Sequence, residues 1–176
     1  GFFRENNIKV NYICEHDRDD LNQEITDDYY LFDEKAYRDR VTPAYGANTS
    51  PFRPMSKSEI SCTIKHYNAV KRIAEECDEY GLILEDDVVF PEDWEAIFMG
   101  SCCDLKISSG DTKEIAFLKD NPSSKCGDAY LIKTSLAKKM AETMKPFVVI
   151  SDWELSAQFA MHEAKVYWWE PALISQ

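Results

Sequence analysis

The stretch GLILEDDVVFP, residues 81–91, sets Glu85, Asp86 and Asp87 directly behind the apolar run Leu82, Ile83 and Leu84. Two carboxylates about 4 Å apart repel by roughly 1 kcal/mol in water and about 4 kcal/mol at the effective dielectric of a protein surface. A divalent cation removes that cost. Oxygen ligands without imidazole or sulfur suit Mn2+ or Mg2+, which keep waters and take their remaining positions from phosphates. On extended backbone Glu85 and Asp87 face one way and Asp86 the other. The competing reading is a solvated turn whose acids sit at the next helix's N-terminus, where the helix dipole favours them.

The elements that must position this cluster follow from periodicity. In MSKSEISCTIKHYNAVKRIAEECDEYG, Ser56 and Glu59 form an S-x-x-E capping box, and Met55 and Ile60 stand where a hydrophobic staple belongs. Apolar residues from Ile60 to Cys77 then recur at helical spacing, with Gly81 as a stop signal. Leu82–Leu84 is the strand that follows. PEDWEAIFMG opens like a helix, EIAFLK and DAYLIK are strands, and TSLAKKMAETM is a helix capped by Thr134. ISDWELSAQFAMHEA repeats the capping box with Ser151 and Glu154, and KVYWW is a last strand. At the other end, NNIKVNYICEHD alternates like a strand, and residues 18–54 form a long irregular region with one short helix. Strands alternating with helices predict a single α/β domain over residues 1–176, a sandwich with a mostly parallel central sheet flanked by helices.

Composition bounds the function. A chain of 176 residues with 44% apolar content buries a sizeable core. Its net charge of −12 disfavours nucleic acid, which needs clustered Lys and Arg. Six cysteines form no CxxC pair and no zinc spacing, which favours a reducing, cytoplasmic setting. No apolar run approaches the roughly 20 residues of a membrane span, and no signal peptide opens the chain.

Four pieces in order carry a resemblance: Glu59, Cys62 and His66 in SEISCTIKH; LILEDDV with its acidic triplet; CGDAYLIKTSLAKKM with Tyr130; and SDWEL with Asp152. Over residues 55–176 they resemble glycosyltransferase family 25, the group of lipopolysaccharide-type sugar transferases and collagen hydroxylysine galactosyltransferases. Lys65 stands where the family usually has Ser. The resemblance implies a GT-A-like, Rossmann-type fold, a nucleotide-diphosphate sugar donor, and Mn2+ (or Mg2+) held by Asp87, with Glu85 as a second or water-mediated ligand. It places Asp86 toward the donor's ribose and makes Asp152 the candidate general base for an acceptor hydroxyl. Against the family pattern, an opening strand and a C-terminal tail are expected to be missing. The implied activity is metal-dependent transfer of a hexose, galactose being one candidate, to a glycan or a hydroxylated side chain. Alternatives are a divalent-metal phosphohydrolase and a non-catalytic relative that binds carbohydrate or protein.

Each named residue also has a plainer role. Asp152 opens a helix, where a carboxylate complements the dipole, and Glu59, a candidate substrate-binding residue that would orient the donor loop, is also accounted for by its capping box. His66, four residues after Cys62, reads as a hydrogen-bonded, partly buried histidine or as a substrate-binding group. Asp128 lines the site near the sugar or belongs to a turn. Tyr130 belongs to the core, and His162 and Gln176 are remote candidates for a metal. Trp153, Trp168 and Trp169 are buried aromatics or sugar-stacking platforms.

Overall fold

Short polar side chains start the first three helices. In the computed structural model, which describes residues 9–46, 52–85, 116–118 and 127–169, helix α1 (Gln23–Tyr29) begins where Asn22 Oδ1 accepts the Ile25 N–H at 2.9 Å. Helix α2 (Glu34–Tyr45) begins where Asp33 Oδ1 accepts the Ala36 N–H at 2.7 Å. Helix α3 (Lys57–Glu76) has the full reciprocal box expected of it. Ser56 accepts from the Glu59 N–H, and the Ser56 N–H donates to Glu59 Oε2 at 2.7 Å. The described chain continues through β1 (Tyr80–Leu84), β2 (Ala116–Leu118), β3 (Ala129–Lys133), α4 (Thr134–Thr143), α5 (Ser151–Met161) and β4 (Tyr167–Trp169).

Helix α3 is the axis of the packing. Its face carrying Val70, Ile73 and Ala74 meets Ile83 of β1, Ile132 of β3, Ala137 and Met140 of α4, and Leu155 and Phe159 of α5. Its N-terminal half packs Ile60 and Ile64 with Leu21 and Phe147, and Met55, at the staple position, lies against the same cluster. Gly81 does not stop the helix, which ends at Glu76 with Cys77 already extended. Gly81 lies inside β1, where a Cβ would stand 2.3 Å from Ile73 Cδ1 and Cγ1. The missing side chain is what lets the strand lie against α3.

The expected parallel, Rossmann-type GT-A sandwich is overturned. Among the described residues the strands form two two-stranded sheets, both antiparallel: β1 with β3, pairing Leu82 with Leu131 and Ile83 with Tyr130, and β2 with β4. Alternation of strand and helix along a chain fixes no strand direction, and the helix expected after β1 lies outside the described residues. The apolar run in β1 is also not buried on both faces, as a parallel strand's would be. Gly81 and Ile83 face the core, while Leu82 is 40% exposed and its partner Leu131 54% exposed.

Three further expectations change. Residues 9–14 form no strand, with Val10 and Tyr12 exposed. The region read as irregular contains α1, α2 and a 3-10 turn at Arg18–Asp20. Ser151 and Thr134 are first residues of their helices rather than caps, which are Ile150 and Lys133 and make no side-chain capping bond. Glu154 turns inward instead, wholly buried, to accept from Arg40 Nη1 at 2.8 Å, Gln158 Nε2 at 2.9 Å and the Val148 N–H at 3.4 Å. Arg40 also donates to the carbonyls of Pro146 and Thr143, so one guanidinium ties α2 to the segment between α4 and α5.

Candidate active site

Glu59, Cys62 and His66 follow one another at three- and four-residue spacing on α3, so they rise along one helix face. The end of β1 brings Glu85 to the upper part of that face, and the Glu85 N–H is fixed by the Asp128 carbonyl at 2.8 Å. Strand β3 adds Tyr130, and the start of α5 adds Ser151 and Asp152. His66 sits at the junction, 5% exposed. Its Nδ1 lies 3.1 Å from the Tyr130 hydroxyl and its Nε2 3.1 Å from Glu85 Oε1. Cys62 Sγ is 3.7 Å from Ser151 Oγ. Gly127 passes close beside the pair: a Cβ there would stand 3.0 Å from His66 Nε2 and 3.6 Å from Glu85 Oε1.

Charge follows from this geometry. Burial opposes a cation on His66, but Tyr130, Cys62 and Glu85 around it outweigh that and hold its pKa well above the ordinary histidine value. A protonated ring would donate from Nδ1 to Tyr130 and from Nε2 to Glu85. The hydrogen bond to His66 draws the Cys62 thiol below its usual range, against the effect of burial. Burial pushes the Tyr130 phenol up. Burial also pushes Asp152 above the ordinary aspartate range, although backbone N–H groups of Trp153 and of Asp152 itself donate to it.

The structure thus brings together Cys62, His66 and Glu85, with Asp152 adjoining them through Ser151 and the buried Asp128 bonded through its carbonyl to the Glu85 N–H. Glu59 stays apart. Its carboxylate is taken by Arg53, at 3.0 and 2.5 Å, and by the Ser56 N–H, and the Arg53 pairing holds its pKa down to about 2. Asp86, Asp87 and Gln176 lie outside the described residues. His162 Nε2 is bonded to Thr143 Oγ1 at 2.9 Å on the far side of α5. Trp153 packs beside Tyr37, Val41 and Val149. Sequence reasoning gave Cys62 and Tyr130 no site role and did not consider Gly127. The i, i+4 spacing of Cys62 and His66 was the available signal for the first.

Residues 16–125 match the family model of glycosyltransferase family 25 (LPS biosynthesis protein). That span contains Cys62, His66 and the acidic triplet, begins well before the four motifs, and ends before Asp128, Tyr130 and Asp152. No curated protein and no solved structure matches the chain.

Proposed function

The chain belongs to glycosyltransferase family 25, and from that premise we propose that it moves a hexose from a nucleotide-diphosphate sugar to a hydroxyl of a glycan or hydroxylated side chain. Membership supports glycosyl transfer; donor, acceptor and metal are this reading's additions. The observation that carries it is the start of α5, which bears Asp152, set against the Cys62, His66 and Glu85 cluster at the end of β1 through Ser151 Oγ, 3.7 Å from Cys62 Sγ.

Asp152 is the general base in this reading. An acceptor hydroxyl must lose a proton as its oxygen bonds the anomeric carbon, and a carboxylate whose pKa is raised by burial is a better acceptor than an exposed one. The imidazolium of His66, held between Tyr130 and Glu85, supplies fixed positive charge beside a site where negative charge develops on the leaving diphosphate. The carboxylate assigned to the donor's divalent ion is Asp87, with Asp86 directed to the donor's ribose; Glu85 Oε1 faces His66 Nε2 at 3.1 Å. An all-oxygen ligand set at that position suits Mn2+ or Mg2+. When bound, such an ion neutralises the diphosphate.

The test is a panel of nucleotide sugars scored by the melting temperature of the full chain, with and without Mn2+. A donor that binds the folded state raises it by linkage. We expect at least one nucleotide-diphosphate sugar to do so in the presence of Mn2+ only. Phosphate release without any acceptor, or no shift with any donor, overturns the reading.

A further inference from the structure

Cys62, His66 and Glu85 each offer one ligand atom, and the three atoms lie within 4.8 Å of one another. We propose that these three residues form a binding site for a thiophilic divalent transition metal of the zinc type. The grouping is sulfur, imidazole nitrogen and carboxylate oxygen, the donor mixture that selects zinc-like ions over Mg2+ or Mn2+. A tetrahedral ion with bonds of about 2.0–2.3 Å holds its ligands roughly 3.5 Å apart, so a rotamer-scale adjustment of Cys62 and Glu85 closes them around one ion.

Three features favour a built site over a chance cluster. Tyr130 engages His66 Nδ1 at 3.1 Å, which leaves Nε2 as the coordinating nitrogen and orients the ring as an outer-shell partner does. Nε2 and Glu85 Oε1 face each other at 3.1 Å, a contact between two electron-pair donors that requires a proton or a cation between them. Gly127, where a Cβ would come within 3.0 Å of Nε2, keeps the approach beside that nitrogen unfilled. On binding, the ion replaces the proton held between Nε2 and Oε1 and the proton on Sγ, and both leave to solvent. Three protein ligands leave a fourth position for water. The proposal goes beyond glycosyl transfer and does not depend on it; with the ion bound, His66 is a neutral ligand and the ion in place of an imidazolium supplies the positive charge beside the donor.

The probe is Co2+ added to the reduced full-length chain, read by its thiolate-to-metal charge-transfer absorption. We expect one equivalent to produce the band, Zn2+ to displace it and Mn2+ to leave it. Cys62→Ser should abolish the band, while Cys14→Ser and Cys77→Ser should keep it. Tyr130→Phe, which retains the ring, should weaken Co2+ binding by about 10–100-fold. Circular dichroism of each variant establishes that it is folded, and Glu85→Gln, which keeps size and hydrogen bonding to His66, serves if Cys62→Ser does not fold; it should weaken binding at least about 10-fold. No band in the wild-type chain, a band that survives Cys62→Ser, or affinity unmoved by Glu85→Gln overturns the proposal. Because no sugar donor is present, its failure leaves the transferase reading standing, and the reverse also holds.

Discussion

Asp152 and Glu59 are both acids in the first turn of a helix, yet their surroundings drive them in opposite directions. Burial raises Asp152, so as a general base it is lost when protonated, and activity falls as pH drops through a value above the usual aspartate range near about 3.9. We expect Asp152→Asn to lower kcat by about 10²–10⁴-fold with a smaller change in KM, and to remove that acid limb from the pH–rate profile. Glu59 titrates near 2 when folded, against an ordinary 4.5, chiefly through Arg53. A depressed folded pKa means its stabilisation is present above about 4.5 and is lost as pH falls toward about 2. Urea titrations at stepped pH should therefore show the wild type losing stability across that window and Glu59→Gln changing less. Because the Arg53 pair is half-exposed, added salt should shrink the difference. The chemistry of both residues was named from sequence. Their roles were separable only once Arg53 was seen to occupy one and burial to surround the other.

Helix and strand positions were mostly legible because apolar spacing is a local property. The Ser56–Glu59 box, the β1, β3 and β4 segments and the bodies of α4 and α5 all follow from it. What a local motif does not encode is the partner. Ser151–Glu154 has the same S-x-x-E pattern as Ser56–Glu59, but a half-buried guanidinium competes for Glu154 and wins over a backbone cap. Arg40→Met should accordingly lower the unfolding free energy by about 3–5 kcal/mol in urea, because it leaves Glu154 buried without its cation. Adding Glu154→Gln should recover part of that loss. Gly81 was misread for the same reason: its function is to give room to Ile73, a contact made across elements. Gly81→Ala should destabilise by about 1–3 kcal/mol through overpacking, and a cost below a few tenths would contradict the close β1–α3 approach.

Across the whole molecule, strand direction was the feature sequence pattern carried least. Two antiparallel pairs and a parallel sheet share the same strand and helix segments, and only the exposure of Leu82, Leu131 and Tyr80 on one face tells them apart. Among the described residues no helix is long and apolar enough to cross a membrane. The net charge of −12 remains the strongest global constraint on the proposed chemistry. An anionic donor approaching an acidic protein is repelled unless a cation intervenes, so chelating divalent ions should abolish donor binding. The most direct measurement is nucleoside-diphosphate release from a panel of nucleotide sugars, with Mn2+ present, with and without a glycan or hydroxylysine-peptide acceptor. We expect release that requires the acceptor and falls at least about 100-fold in Asp152→Asn. Release that ignores the acceptor, or that Asp152→Asn leaves undiminished, would contradict the transferase reading.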